Sequence, residues 1–458
     1  MNPTDAPSPR TDASRRRFLT TASLGTAAIL APGFLHAKGR YDGTTINASM
    51  FSHGFVNLLR PMLGQFKEET GITVNLVDKA FPIYNQQTDL ELATGGTSLD
   101  VISISFIYTA RWIGTGWMAP LDPYLNNAEA TPADWGRNDF VEGLQKYGRS
   151  ADGKTTYGIP WEAGVWLTAA GRGDLMDKAG LANGGIPTTF TELQENCRKL
   201  KALDPSVAPF INDTTHHVNY PMYLQGLGGQ VFKNAPDNLT PLLNSPQAAA
   251  AAEIYAGLLR DMGPQGVLSM RTDQVAGMLR GGQAHYWHYA LPWLVNAAKG
   301  DSAIAKTVRF GEVPSGPAGQ FPSVVTHSLG IPKYSRKKAA AWEFIRWAMG
   351  PKVQRQMAIE QGYAATTRTS ILRDPAFVKN MTINGTNIAG LVEKTLASSE
   401  KKDYMNYRIV SVFPIIGGHI NSAVQKIASG QATGAEAMAK AQSDILVDFK
   451  KNQIKIDA

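Results

Sequence analysis

The side chains of this chain that could do chemistry are aromatic rings placed beside polar groups. Trp161 directly precedes Glu162. A flat ring can stack on the C–H face of a polyhydroxylated molecule, and a carboxylate accepts hydrogen bonds from its hydroxyls. The pair therefore predicts contact with such a ligand, with Glu162 as the main carboxylate acceptor. The structural alternative is a salt bridge between Glu162 and a nearby Arg or Lys.

The densest aromatic cluster covers residues 285–289, His-Tyr-Trp-His-Tyr, and Trp293 follows it. Alternate residues of a β-strand share a face. A strand here would therefore place Trp287 and Tyr289 on one face and the rings between them on the other. Core packing accounts for one face, and the polarity of the rings favours ligand contact on the other.

Further candidates follow predicted strands, where the loops of an open α/β sheet line a cleft. Ser52 and His53 come after the first strand, and their alternative roles are a helix cap and a surface histidine. For Tyr84 the alternative is packing, and for Arg368 it is a pair with a surface carboxylate. The candidate ligand-binding residues are Ser52, His53, Tyr84, Ser105, Tyr108, Trp161, Glu162, His217, Asn219, Trp287, Tyr289, Trp293, His327 and Arg368.

Motifs for covalent or zinc-assisted hydrolysis are missing from the sequence. Neither the nucleophile elbow G-x-S-x-G nor the zinc motif H-E-x-x-H occurs. His216 and His217 are adjacent, whereas helical zinc pairs need a four-residue spacing or a third nearby ligand. Glu162 has no evident partner carboxylate for glycoside hydrolysis. We therefore expect no enzyme, no cofactor and no metal, with a secreted hydrolase as the less favoured alternative.

Composition bounds the class of protein. With 458 residues, 43% of them hydrophobic and 18% charged, the chain can form two or three domains with sizeable cores. The formal net charge is +7, and no long basic cluster is interleaved with aromatic residues, which argues against a nucleic-acid partner. Cys197 is the only cysteine, so an internal disulfide is impossible. We expect it to be a small buried residue of an amphipathic helix.

Apolar periodicity predicts alternating strands and helices. Strands are predicted over residues 45–50, 72–77, 99–104 and 284–289, with an extended stretch over 156–168. Helices are predicted over residues 55–66, 85–93, 191–203, 245–259, 272–279, 337–349 and, as a pair, 418–449. The alternation predicts an α/β fold with a mostly parallel sheet and helices on both faces.

The N-terminus carries a targeting pattern. Residues 14–20, Ser-Arg-Arg-Arg-Phe-Leu-Thr, resemble the twin-arginine export signal S-R-R-x-F-L. A moderately apolar run follows and ends in Leu35-His36-Ala37, with a small residue in the last position. This predicts a periplasmic protein whose mature chain begins near Lys38. No cysteine stands at the end of the signal, so we expect no lipid anchor there.

Several segments resemble, in order and spacing, extracellular solute-binding proteins of carbohydrate ABC transporters, the maltodextrin-binding type. The similarity spans nearly the whole mature chain. The segments that carry it are Phe66-Lys67-Glu68-Glu69-Thr70-Gly71-Ile72-Thr73-Val74, Leu99-Asp100-Val101-Ile102, Gly116-Trp117-Met118-Ala119-Pro120-Leu121-Asp122, Asp152-Gly153-Lys154, Tyr157-Gly158-Ile159-Pro160, Ile186-Pro187-Thr188-Thr189-Phe190-Thr191-Glu192-Leu193, Gly330-Ile331-Pro332, Ala341-Trp342 and Gly362-Tyr363.

The resemblance implies two α/β lobes of the type II periplasmic binding-protein kind, joined by a multi-segment hinge. Residues 38–163 and 329–372 would form the N-terminal lobe, and 164–328 and 373–458 the C-terminal lobe. It also implies that ligand binds in the cleft, that the lobes close on it, and that inner-membrane permease subunits receive it. We expect a monomer that delivers a sugar, sugar derivative or polyol.

Two segments depart from the family pattern. Residues 167–170, Leu-Thr-Ala-Ala, stand where many members have a Tyr-Asn pair, and Thr326-His327-Ser328 stands where many have a Gly-Gly-Trp-like stretch. The alternative within the binding class is therefore the same fold holding a different solute, an organic anion or a polyamine.

Overall fold

The computed structural model describes residues 41–400 and 403–456. The predicted export signal lies outside these residues. The strands are β1 (Thr45–Phe51), β2 (Thr73–Lys79), β3 (Val101–Ile104), β4 (Gly158–Pro160), β5 (Gly164–Ala170), β6 (Ala208–Ile211), β7 (Phe232–Asn234), β8 (Asn238–Pro241), β9 (Ala284–Ala290), β10 (Arg309–Gly311), β11 (Val324–Val325), β12 (Ser328–Gly330), β13 (Thr382–Ile383) and β14 (Thr386–Asn387).

Helices surround the strands. The α-helices are α1 (Gly54–Leu59), α2 (Leu63–Thr70), α3 (Phe81–Ala93), α4 (Thr109–Gly114), α5 (Asp122–Leu125), α6 (Glu142–Gln145), α7 (Gly173–Lys178), α8 (Phe190–Leu203), α9 (His216–Gly226), α10 (Pro246–Met262), α11 (Thr272–Arg280), α12 (Leu291–Ala298), α13 (Lys338–Ala348), α14 (Pro351–Arg355), α15 (Thr369–Leu372), α16 (Pro375–Asn380), α17 (Ile388–Glu400), α18 (Phe413–Ala428) and α19 (Gly434–Lys451). Among the described helices, none is long and apolar enough to cross a membrane.

The first sheet has the strand order β2-β1-β3-β12-β4. Its β1 strand runs parallel to β2 and β3, as expected for strand–helix–strand units. The β12 strand runs antiparallel to both β3 and β4 and brings a distant part of the chain into the sheet between them.

The second sheet has the order β10-β5-β9-β6, with β11 also paired to β5. Only β6 and β9 are parallel in it, and β5 runs antiparallel to β9, β10 and β11. The prediction of mostly parallel sheets is therefore wrong. Strands β5 and β12 each follow a crossing between the two sheets rather than a helix. They are therefore antiparallel to neighbouring strands that do follow a helix.

Each sheet has its own hydrophobic core. One core gathers side chains of β1, β3, β4, β12, α1–α4 and α13. The other gathers β5, β6, β9, α8–α12 and α16–α19. The predicted two-lobed α/β fold class is thus confirmed. The residue boundaries of the two lobes stay a prediction.

Most predicted elements are present, with shifted ends. The helix predicted over residues 55–66 is interrupted, because Pro61 lies in a 3₁₀ turn, Arg60–Met62, between α1 and α2. Cys197 is fully buried in α8, as predicted.

Arg368 joins three backbone segments around the first core. Its side chain is fully buried. The guanidinium donates to the carbonyl oxygens of Met349 at 2.7 Å and Trp135 at 2.9 Å. It also donates to the Gly136 carbonyl and to the Asp139 carboxylate, each at 3.2 Å. A fork of several donors in one plane suits such a junction, and lysine cannot reproduce it.

We predict that Arg368→Lys lowers the free energy of unfolding by about 2–4 kcal/mol, because carbonyl groups that are buried would lose their donors. Urea unfolding followed by circular dichroism measures this. The control is Arg373→Lys, whose ion pair with Glu393 is exposed and should be worth under about 1 kcal/mol. Equal unfolding midpoints for the two variants would contradict the structural role of Arg368.

Candidate functional site

A cavity of about 130 Å³ lies where the two cores face each other. Loops that follow β1 and β3 of the first sheet and β6 and β9 of the second meet there, since the carboxyl ends of parallel strands share one edge of a sheet. Residues of both sheets line it: Phe51, Ser52, His53, Phe81, Phe106, Ile107, Glu162, Trp166, Thr215, His217, Val218, Thr272, Tyr289, Ala290, Trp293, Val325 and His327.

Half of the residues predicted from the sequence to bind ligand line this cavity. They are Ser52, His53, Glu162, His217, Tyr289, Trp293 and His327. A larger neighbouring cavity of about 470 Å³ shares Ser52, His53 and Trp293 with it. The half-buried Trp293 lines both cavities and so lies between them.

Glu162 is the central polar group of the cavity. It is 3% exposed and lies on the crossing between β4 and β5. Its Oε1 atom lies 3.6 Å from His53 Nε2, and its Oε2 atom lies 3.4 Å from His327 Nε2. Burial raises the pKa of Glu162 to about 8. At neutral pH the group is therefore mostly a carboxylic acid with one hydrogen to donate, rather than the carboxylate acceptor expected from the sequence.

The two imidazoles beside Glu162 are neutral. His53 caps α1, and its Nδ1 atom accepts the backbone N–H of Phe55 at 3.2 Å. The ring hydrogen of neutral His53 is therefore on Nε2, which faces Glu162. Burial lowers the pKa of His53 to about 4 and lowers that of His327 well below its usual value. The polar centre of the cavity thus carries no formal charge at neutral pH.

Trp161 lies behind the cavity wall. Its ring stacks on His327 at 5.3 Å and on Phe55 at 4.7 Å between centroids, and its Nε1–H donates to Ser103 Oγ at 3.1 Å. It supports the imidazole of His327 from the side remote from the cavity.

Trp287 has a similar position in the second sheet. It stacks on Tyr289 with centroids 4.9 Å apart, so the two rings share a face as predicted. Trp287 is fully buried, and Tyr289 is the ring that reaches the cavity. The sequence predicted that Trp287 stacks on the ligand, whereas in the structure its ring packs against Tyr289.

Five other predicted residues also lie outside the lining. Tyr84 donates its hydroxyl to the Ser103 carbonyl oxygen at 2.7 Å, and Tyr108 stacks on Trp112 at 5.3 Å. Asn219 accepts the indole N–H of Trp166 at 2.7 Å and so orients a ring that does line the cavity. The remaining two are Ser105 and Arg368. Ser105 is fully buried beside Phe106, and the guanidinium of Arg368 donates to backbone carbonyls and to Asp139.

Sequence reasoning missed ten lining residues, and most are apolar. Phe51 directly follows the strand predicted over residues 45–50, and Phe106 lies two residues beyond the strand predicted over 99–104, so their position was the available signal. Thr215 and Thr272 gave no signal, because threonine at a helix start is ordinarily a cap. The missed residues are Phe51, Phe81, Phe106, Ile107, Trp166, Thr215, Val218, Thr272, Ala290 and Val325.

The adjacent histidines have separate partners. His216 Nδ1 lies 3.2 Å from the Tyr255 hydroxyl, and His217 Nδ1 lies 3.1 Å from Asn421 Oδ1. In the part of the chain that the structure describes, no cluster of three or more His, Cys, Asp or Glu side chains could hold a metal ion.

Residues 148–155, Gly-Arg-Ser-Ala-Asp-Gly-Lys-Thr, match the spacing G-x-x-x-x-G-K-T of phosphate-binding loops. Their structure differs from such a loop. The N–H of Ser150 donates to the Thr155 carbonyl at 2.8 Å, and Arg149 pairs antiparallel with Thr156. The segment is thus a hairpin turn leading to β4, whereas a phosphate loop joins a strand to a helix.

Known proteins share this fold and sequence pattern. An erythritol/L-threitol-binding protein of Mycolicibacterium smegmatis is 26% identical over 78% of this chain and 82% of its own length. A probable amino-acid ABC transporter periplasmic-binding protein of Sinorhizobium fredii is 23% identical over 88% of this chain and 90% of its own length.

The fold also matches solved structures. An ABC transporter solute-binding protein from Agrobacterium radiobacter K84, crystallised with ribitol, superposes with a TM-score of 0.78 at 20% identity and covers 88% of this chain and 98% of its own. Residues 55–355 match the sequence model of the family described as bacterial extracellular solute-binding protein. The chain therefore belongs to the bacterial extracellular solute-binding protein family.

Proposed function

We propose that this protein is the solute-binding component of an ABC importer and captures a small neutral polyol or sugar in the cavity around Glu162. The observation that carries the proposal is the uncharged polar centre formed by Glu162, His53 and His327. Hydroxyl groups can both donate to and accept from such groups, and no buried charge has to be neutralised by the ligand.

The size and lining of the cavity support a small ligand. Its volume of about 130 Å³ is below the roughly 300–1,000 Å³ typical for drug-sized ligands. Tyr289, Trp166 and Trp293 supply flat rings for the C–H faces of a polyol. Relatives described as binding erythritol or crystallised with ribitol agree with this ligand class.

Capture would proceed by closure of the two lobes. The polypeptide passes between the two cores at Trp161–Ala163, at Thr326–His327 and near Ala365, and hydrogen bonds join these crossings. Such a multi-segment hinge allows the two lobes to rotate as rigid bodies about a shared axis. The closed form would then be recognised by the permease subunits in the membrane.

We predict that Trp293→Ala weakens ribitol binding roughly 5–30-fold, the equivalent of about 1–2 kcal/mol for one stacked ring. Isothermal titration calorimetry with ribitol, erythritol, mannitol and a panel of sugars, sugar acids and amino acids tests both the ligand class and the variant. The control is Trp347→Ala, a half-buried tryptophan whose Nε1–H donates to Glu69. Tight binding of an amino acid or sugar acid, with no polyol or sugar bound, would contradict the proposed function.

We predict that Glu162→Gln changes the pH dependence of stability. Between about pH 4.5 and 8 the folded wild type binds a proton at Glu162 that the unfolded chain has released. Wild-type stability should therefore fall as pH rises through this window, by up to about 1.4 kcal/mol per pH unit, and glutamine removes this loss.

Thermal unfolding of both ligand-free proteins from pH 5 to pH 8 measures the difference. The variant should gain on the wild type as pH rises. Buried histidines such as His53 titrate with the opposite sign between about pH 4 and 6.5 in both proteins, so their effect cancels. A constant difference across the range would show that Glu162 is ionised in the folded protein.

Export by the twin-arginine route completes the proposal. Family membership indicates an extracellular or periplasmic protein, and residues 14–20 supply the signal. We predict that replacing Arg15 and Arg16 together by lysine abolishes periplasmic accumulation in cell fractionation. Arg10→Lys, outside the motif, is the matched control. Undiminished periplasmic amounts of the double variant would overturn this route.

A further inference from the structure

Asp213 is a buried carboxylate just behind the cavity wall. It follows β6 and is fully buried. Its Oδ1 atom accepts the backbone N–H of Thr215 at 3.0 Å and also the Thr215 hydroxyl. Its Oδ2 atom accepts the Thr272 hydroxyl. Three donors thus converge on one carboxyl group, and both of its oxygens act as acceptors.

These contacts fix the direction of both threonine hydroxyls. A hydroxyl has a single hydrogen, and Thr215 and Thr272 each direct theirs to Asp213. The Tyr289 hydroxyl oxygen lies 3.3 Å from Thr272 Oγ1 and 3.5 Å from Thr215 Oγ1. Because both threonine hydrogens are directed to Asp213, the tyrosine supplies the hydrogen on this side, and its single O–H has Thr272 Oγ1 as the nearer acceptor.

Tyr289 keeps the hydrogen that it needs for this role. Burial and the negative charge of Asp213 raise the pKa of Tyr289 well above its ordinary value. Its hydrogen points inward to the threonines, so its oxygen offers only lone pairs to the cavity. Thr215, Thr272 and Tyr289 all line the cavity, and together they form an acceptor wall.

We propose that Asp213 is a positioning residue that turns the Tyr289 hydroxyl away from the cavity, so that this acceptor wall selects ligands with a hydrogen-donating hydroxyl there and rejects acceptor-only groups such as carboxylates and carbonyls. This inference rests on the proposed function and narrows its ligand class. The donor groups of the cavity, Glu162 and His53, come from the β4–β5 crossing and the loop after β1, whereas Tyr289 belongs to the second sheet.

A polyol suits both groups of cavity residues. Its hydroxyls can donate hydrogen bonds to the acceptor wall and accept hydrogen bonds from the donor groups. An acceptor-only group placed against Tyr289 would bring its own lone pairs against those of the tyrosine oxygen, with no hydrogen between the two atoms to form a hydrogen bond. It would also have lost its hydration, and a site built to bind a hydroxyl discriminates strongly against an analogue that lacks the hydrogen.

The test compares ribitol with 1,5-dideoxy-1,5-difluororibitol, in which fluorine replaces both terminal hydroxyls. Fluorine has nearly the same size but no hydrogen, and both probes are uncharged, so a change of protein charge affects them alike. Calorimetry on the wild-type protein should show ribitol bound at least about 10-fold more tightly than the difluoro analogue. Tyr289→Phe should weaken ribitol binding and leave the analogue nearly unchanged, so that the preference largely disappears.

Asp213→Asn examines the positioning role. Its amide can donate to Thr272, which frees the threonine hydrogen and lets the tyrosine hydroxyl turn toward the cavity. The ratio of the two affinities should then fall several-fold. If Asp213 acts only on folding, both affinities fall together and the ratio is unchanged, which overturns the proposal.

The control is Tyr220→Phe, since this buried tyrosine donates to the Ala248 carbonyl at 3.0 Å and does not line the cavity. Its affinity ratio should equal that of the wild type. Equal binding of the two probes by the wild type overturns the acceptor wall and leaves the proposed function standing. Failure of the wild type to bind any polyol or sugar of the panel overturns both.

Discussion

The cavity depends on the burial of one carboxyl group, Glu162, where the chain passes between the two cores. Its backbone neighbours are held on both sides. The N–H of Trp161 donates to the His327 carbonyl, and the N–H of Ala163 donates to the Ala365 carbonyl, each at 2.9 Å. Three crossing segments are thus joined around one side chain, which is only 3% exposed. A carboxyl group in that position takes up a proton, since ionisation would cost its hydration without return.

Two buried carboxyl groups near the cavity, Asp213 and Glu162, differ in the hydrogen-bond donors that surround them. Asp213 receives three hydrogen-bond donors, which replace the water it has lost. Glu162 has two imidazoles at 3.4 Å or more, and its Oε2 atom has no hydrogen-bond partner in the described part of the chain. The first group therefore accepts three hydrogen bonds, whereas burial leaves the second protonated and able to donate. This difference in donors gives the cavity its two chemically distinct sides.

The fold class and most elements could be predicted, because apolar periodicity and order of motifs are local properties of the sequence. Pro61 interrupted a predicted helix without changing its buried face. The mostly parallel sheets were a wrong prediction for a non-local reason. Periodicity shows that a segment is a strand, but the direction of β5 and β12 depends on where the preceding crossing enters the sheet.

The sequence by itself determined the family pattern, the polar residues at strand ends and the absence of an internal disulfide. Only the tertiary structure decided which aromatic ring reaches the cavity and which lies behind it, as Tyr289 and Trp287 show. It also decided the protonation of Glu162 and placed Arg368 in a backbone junction. The physical reason is that periodicity ranks residues by face, whereas burial, charge state and hydrogen-bond direction depend on groups brought together from distant parts of the chain.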